Sequence, residues 1–188
     1  MDHLQRLEKL VERLNERIAE LCQPYRQQIE ELDQIPGIDQ VGAESIVAEV
    51  GLDMQGFPTE GHRCSWAGIC SGNNESAGKR RSGRIPKGDR WLRRTLVLAA
   101  QAAGHTKDSF LASRFRRLTA RRGKKRACVA VAHSILKIVY HLLKHGCPYS
   151  DLGGSYFDHL DPERLTRYLV RRLERLGLKV TLEPVTTT

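Results

Sequence analysis

The chain lacks a paired cysteine framework. Its five cysteines, Cys22, Cys64, Cys70, Cys128 and Cys147, are odd in number, and no basic segment followed by an apolar one opens the sequence as a secretory leader would. Free thiols in a reducing, cytoplasmic protein are the expectation. A membrane span of roughly 20 apolar residues is also missing, because Ala127 to Leu143 is interrupted by His133, Ser134, Lys137 and His141. No membrane partner is therefore expected. His62, Cys64 and Cys70 have no second CxxC or HxxxH pair to complete a zinc set, so incidental or buried thiols are the better reading.

Acid is nearly absent from the middle of the chain. Met1 to Glu75 holds 6 basic and 14 acidic residues, Ser76 to Arg126 holds 17 and 2, and the remainder 8 and 6, within a net charge of +9 over 188 residues. Positive charge concentrated this way attracts polyanions and raises their encounter rate. A merely solvated face would carry interleaved acids, which the central block does not. The length suits one compact domain plus an extension.

Leu4, Leu7, Val11, Leu14, Ile18, Leu21 and Tyr25 step by alternating threes and fours, the apolar seam of a coiled-coil helix. Pro24 should kink that helix, after which Ile29, Leu32 and Ile35 resume the stripe. The seam suits either an oligomer or an intramolecular helical hairpin. It is already running at Met1, which suggests a part upstream. The predicted fold is mainly α: a coiled-coil arm over residues 1–34, a compact helical domain over 35–158 with a helix-hairpin-helix-like element, and a C-terminal amphipathic helix and tail over 159–188.

In the hairpin-like element, Ile35-Pro36-Gly37-Ile38-Asp39 precedes a helix with Ile46, Val47 and Val50. Such a turn can offer backbone N–H groups to phosphate, but Asp39 would repel it, and a purely structural turn is the stronger reading. Trp66 could stack on a base, although packing beside Ala67 and Ile69 is favoured. Asp89 is a plausible N-cap for a helix over Arg90 to Ala103, whose core face is Leu92, Leu96, Ala99, Ala100 and Ala103. A second basic block, Ser113 to Arg126, has a helical apolar face and a stop at Gly123. Ala127 to His145 reads as the main core helix, with His133 a core histidine rather than a catalytic one. Asp161-Pro162 starts the last helix, on Leu165, Leu169 and Leu173, and Gly177 ends it.

The densest chemistry lies in Ser71 to Arg94, SGNNESAGKRRSGRIPKGDRWLRR. A small-residue loop with three hydroxyls, Ser71, Ser76 and Ser82, runs into Lys79, Arg80, Arg81, Arg84, Lys87, Arg90, Arg93 and Arg94. Arg114, Arg117, Arg121 and Lys124 extend the expected nucleic-acid contacts into the second block. Composition alone divides a nucleophile among the three serines. The guanidiniums could stabilise a phosphorane, but a serine also needs something to favour its alkoxide.

The ordered string Ile35-Pro36-Gly37-Ile38, Trp66-Ala67-Gly68, Ser71 to Lys79, Gly83-Arg84, Lys87-Gly88, Trp91-Leu92-Arg93-Arg94 and Ala99-Ala100 resembles the C-terminal transposase domain of insertion-sequence family 110. The NNESAGK wording is nearest its 1111 branch, in a group that includes Piv-like DNA invertases; the resemblance runs from about Ile35 to Asp158. It implies a serine nucleophile at Ser76, DNA as substrate, a structured guide RNA, oligomers through the coiled coil, and a bacterial, nucleoid-associated location. It also implies a RuvC-like domain whose DEDD acids bind Mg²⁺. Here the chain departs from the family, with no such acidic set ahead of the coiled coil and no cofactor expected in the chain itself. Activity is then expected only where a RuvC-like domain is supplied, upstream or in trans. The alternative is a non-catalytic nucleic-acid-binding module or a truncated remnant.

Overall fold

Pro24 divides the N-terminal helix as its ring requires. In the computed structural model, which describes residues 2–72 and 74–183, α1 spans Asp2–Cys22, a 3₁₀ turn Gln23–Tyr25, and α2 Arg26–Asp33. The side chains of Asp2, of residues 74–76 and of residues 80–82 lie outside the described part. The two segments have opposite fates. Leu4, Leu7, Val11, Leu14, Ile18 and Leu21 of α1 are 44–67% exposed, whereas Ile29 and Leu32 of α2 are buried in the core. Thus the apolar stripe is continuous in sequence, but only its second part packs on the body.

Ile35 and Ile38 turn the chain inward through short backbone bonds, Ile35 N to Leu32 O (3.1 Å) and Ile38 N to Ile35 O (3.0 Å). Gly37, at φ +91°, sits where a Cβ would overlap the backbone of Ala99 and Ala103. Only glycine satisfies both the left-handed backbone and that close approach. Next comes α3, Gln40–Val50, whose first turn is capped by Asp39 Oδ1 accepting from Gly42 N at 2.8 Å. The carboxylate occupies the helix N-terminus that an anion would otherwise use, which accords with a structural turn.

The remaining elements are α4 (Glu60–Trp66), β1 (Asn74–Ser76), β2 (Lys79–Ser82), α5 (Arg90–Ala103), α6 (Phe110–Arg122), α7 (Lys124–His145), α8 (Tyr156–Leu160) and α9 (Pro162–Glu174). Helix α5 begins at its expected Asp89 cap, with Leu92, Leu96, Ala99, Ala100 and Ala103 all buried. Helix α6 is capped by Ser109, whose Oγ accepts from Ala112 N at 3.1 Å, and stops at Gly123 with φ +80°. Helix α7 is the hub, packed by α4, α5 and α6. By length and apolar composition α7 could cross a membrane. It instead supplies Val131, Ala132, Ile135, Leu136 and Val139 to one core cluster that also holds buried residues of α3, α5 and α6. Burying each of these valine, isoleucine and leucine side chains contributes roughly 1.5–3 kcal/mol, which is why α7 positions the rest. Its Tyr140 hydroxyl donates to Phe57 O at 2.9 Å, tying the 52–58 connection to the core.

The body is mainly helical, as the sequence predicts, and two local features add to that expectation. The small-residue loop contains a short β-hairpin. Also, a short helix, α8, follows α7 at residues 156–160. Phe157 stacks on Phe110 at 5.3 Å, Tyr156 meets Phe110 edge-on at 5.2 Å, and Asp151 Oδ1 accepts from Phe110 N at 2.8 Å. These contacts fasten the segment after α7 onto the start of α6. Beyond it, α9 is capped by Asp161, has no buried residue, and touches α8.

Candidate nucleic-acid interface

Ser76 is the last residue of β1, and the backbone register sets it opposite Lys79. Between them Ala77 and Gly78 have φ of +50° and +71°. Positive φ at both central residues is the pattern of a type I′ turn, whose twist matches that of two antiparallel strands. Glycine adopts this freely, but alanine in the left-handed region costs about 1 kcal/mol. A strained alanine is therefore held beside the serine at the tip. The legs pair Glu75 with Arg80 and Asn74 with Ser82, leaving one extra residue, Arg81, in β2. A bulge of this kind increases the twist.

Among the described residues, the backbone contacts of the hairpin strands are chiefly with each other, which makes the base of the hairpin its anchor. Gly72 lies against the backbone of Arg84, and Gly88 against Ala67 and Gly68, so closely that a Cβ on Gly72 or Gly88 would overlap main-chain atoms. Glycine thus allows the two legs to enter the body side by side. The exposed Lys79, Arg84 and Lys87 line the legs, and Arg80 and Arg81 belong to β2.

From the base the chain passes directly into α5. Arg90 lies over the ring of Trp91, 5.2 Å from guanidinium carbon to centroid, and Trp91 is 56% exposed. A guanidinium and an aromatic face together suit the phosphates and bases of nucleic acid. Arg94 is exposed and Arg93 half-buried. In the second block, Arg117, Arg121 and Lys124 are exposed, and Arg117 stacks over Phe157 at 4.9 Å. Arg114 is turned inward: it is half-buried, and its Nε is shielded without a hydrogen-bond partner. Burial first, then the charges of Lys137 and Arg114, push the His133 pKa down and keep the imidazole neutral.

Two arrangements were not foreseen from the sequence. Glu49 of α3 approaches Asp89, whose Oδ1 accepts from Leu92 N at 2.7 Å. Burial, the Asp89 charge and a hydrogen bond to Asp89 raise the Glu49 pKa, so one carboxyl can hold its proton against the other. The residues are 40 apart in sequence, and only the packing of α3 on α5 unites them. Arg63 of α4 is 3% exposed, with its guanidinium 4.1 Å from the Phe57 ring centroid and 4.9 Å from that of Trp66. Its Nε and Nη2 have no hydrogen-bond partner, and desolvation lowers its pKa. Trp66 also meets Phe57 edge-on at 5.9 Å and remains 42% exposed, so packing engages much of the indole.

Among the described residues no group of three or more His, Cys, Asp or Glu side chains comes together. The Glu49–Asp89 pair alone does not make a divalent-cation site, and the donor set does not fit the Mg²⁺ centre that the resemblance assigns to a RuvC-like domain. The cysteines are unpaired. Burial pushes the Cys64 thiol up to about 12, which makes it a poor nucleophile.

A basic hairpin with a tense turn thus leads directly into an arginine-bearing helix, and the class the fold defines is a mainly helical protein with a basic face. More particularly, residues 29–115 match the Transposase IS116/IS110/IS902 family. That family domain implies a role in DNA transposition and, with it, DNA binding. It extends from α2 into α6 and includes the whole hairpin. No curated protein matches the chain.

Proposed function

We propose that this chain is the serine-bearing part of a DNA transposase of insertion-sequence family 110, nearest its 1111 branch, and that Ser76 is the nucleophile. The observation that carries this reading is the family match across the hairpin, whose backbone sets Ser76 at the end of a strand opposite Lys79. In the proposed step the Ser76 Oγ–phosphorus bond forms and the phosphorus bond to one deoxyribose oxygen breaks. The serine proton passes to solvent or a base, and the leaving oxygen takes up a proton. A DNA hydroxyl later attacks the phosphoserine, rejoins the strand and returns the serine. One phosphodiester is exchanged for another, so no nucleotide hydrolysis is needed.

Lys79, Arg80, Arg81 and Arg84 supply positive charge to the phosphorane oxygens, and the first turn of α5 carries Arg90, Arg93 and Arg94 for the flanking backbone. In this reading a RuvC-like domain provides metal-assisted activation of the serine. A structured RNA guides target choice, and the exposed seam of α1 joins the copies that assemble the site. The setting is the bacterial cytoplasm, at the nucleoid.

A denaturing-gel assay tests the reaction. End-labelled DNA is incubated with magnesium and either the unaltered chain or Ser76→Ala, with and without a RuvC-like partner domain. The expected result is a covalent adduct with the partner present that disappears in Ser76→Ala. Tight DNA binding without an adduct under any condition would leave a non-catalytic nucleic-acid-binding module.

A further inference from the structure

Helix α9 lies outside the segment that matches the transposase family. Arg164, Arg167, Tyr168, Arg171, Arg172 and Arg175 line one shallow groove on it. At 3.6 residues per turn they fall within an arc of about 140°. Glu163 and Glu174, the acids of this helix, fall outside that arc. None of the five arginines has an ion pair among the described residues. Their recorded side-chain hydrogen bonds are long ones within the helix, Arg172 Nη1 to Tyr168 OH and Arg167 Nε to Glu163 O, both 3.4 Å. All six side chains are exposed.

A charged face normally distributes both signs, because like charges at one-turn spacing repel. Here five guanidiniums share one face, around an aromatic ring carrying a hydroxyl donor, with Glu163 and Glu174 only at its edge and in no ion pair with them among the described residues. The stripe from Arg164 to Arg175 runs about 16 Å along the axis, and duplex DNA presents one phosphate charge per about 1.7 Å of its own axis. The face therefore spans several phosphates of one groove edge. Guanidinium forks suit phosphate oxygens, and Tyr168 can donate to the same backbone.

We infer that α9 is a separate DNA-backbone clamp, engaging duplex phosphates through its arginine face without reading sequence. This rests on the role in DNA transposition but not on Ser76. Because α9 contacts the body through α8, it grips DNA beyond the hairpin and adds affinity rather than chemistry.

The test uses the full chain carrying Arg164→Gln, Arg167→Gln, Arg171→Gln and Arg175→Gln together, with a matching set of four Arg→Lys changes. Fluorescence anisotropy with a 30-base-pair DNA duplex is recorded across a salt series, and circular dichroism checks helix content. The glutamine set should lower affinity by about tenfold or more at fixed salt and reduce the slope of log K against log salt by about three. The lysine set should restore most of both, which a folding defect would not allow. Unchanged affinity and slope in the glutamine set would overturn the inference. So would a loss confined to an RNA duplex, or one confined to anionic vesicles bound through the opposite Leu165, Leu169 and Leu173 face. With magnesium and the RuvC-like partner domain present, covalent adducts at saturating DNA should persist in the α9 variants and vanish in Ser76→Ala, which separates failure of the clamp from failure of the serine mechanism.

Discussion

Gly68 and Gly88 meet backbone to backbone: a Cβ placed on Gly88 would overlap both Ala67 and Gly68. This contact closes the base of the hairpin that carries Ser76. Gly68 is also left-handed, at φ +68°, whereas Gly88 is not. Substitution at Gly88 therefore isolates the steric effect from backbone strain. Gly88→Ala should force the legs apart and destabilise the protein by about 1–3 kcal/mol, the usual cost of overpacking. Thermal denaturation should show it as a Tm lowered by roughly 2–4 °C per kcal/mol. An unchanged Tm would mean that the legs part without resistance.

The turn offers a prediction of opposite sign. Ala77 at φ +50° carries a Cβ in a region that glycine occupies freely. Ala77→Gly should relieve about 1 kcal/mol of local strain, less the greater entropy of glycine in the unfolded chain. Ala77→Val should destabilise the tip. Because the hairpin packs mainly on itself, amide hydrogen exchange of Lys79 and Arg80 is the sensitive readout. Slower exchange in Ala77→Gly and faster exchange in Ala77→Val are expected. If the alanine strain also serves Ser76, adduct formation should fall in the glycine variant although the hairpin is firmer.

Glu49 beside Asp89 makes stability depend on pH. Burial and the neighbouring carboxylate raise the Glu49 pKa above its ordinary 4.5, so the folded chain retains a proton that the unfolded chain has released. The contribution of this residue to stability falls as pH rises through the window from that ordinary value to the raised one, because the folded state binds the extra proton there. Glu49→Gln replaces the protonated carboxyl with a neutral amide and removes that dependence. Urea denaturation should find the variant at least as stable as the parent at pH 7.5 and without such an advantage at pH 4. A variant less stable at pH 7.5 would contradict the assigned sign.

Local signals were legible because they are local. Asp89 as cap, the apolar face of α5 from Leu92 to Ala103, the stop at Gly123 and the break at Pro24 each follow from a few neighbouring residues, and each stands where expected. The hairpin was missed because its strands are three and four residues long and carry Lys and Arg in place of the β-branched residues that announce strands. Its determinant is the Ala77-Gly78 turn, and Ala does not advertise positive φ. Glu49–Asp89 and the Arg63–Phe57–Trp66 stack were out of reach for another reason. They depend on which helix faces meet, information carried by the whole core rather than by any spacing in the chain.

The exposed seam of α1 gives the last prediction. Leu7 and Leu14 are 45% and 62% exposed, and none of the α1 seam from Leu4 to Leu21 enters the core that begins at Ile29. An apolar stripe of this length favours burial by another helix, and a parallel or antiparallel copy of α1 fits the heptad spacing. Leu7→Lys with Leu14→Lys places two ammonium groups at the centre of any such pairing. The unaltered chain should sediment as an oligomer and the double variant as a monomer. The cooperative melting of the helical body should stay within about 0.5 kcal/mol, since the changed residues touch none of its core. Loss of body stability together with unchanged sedimentation would instead mean that α1 folds back onto its own chain in solution, the intramolecular arrangement that the heptad pattern also permits.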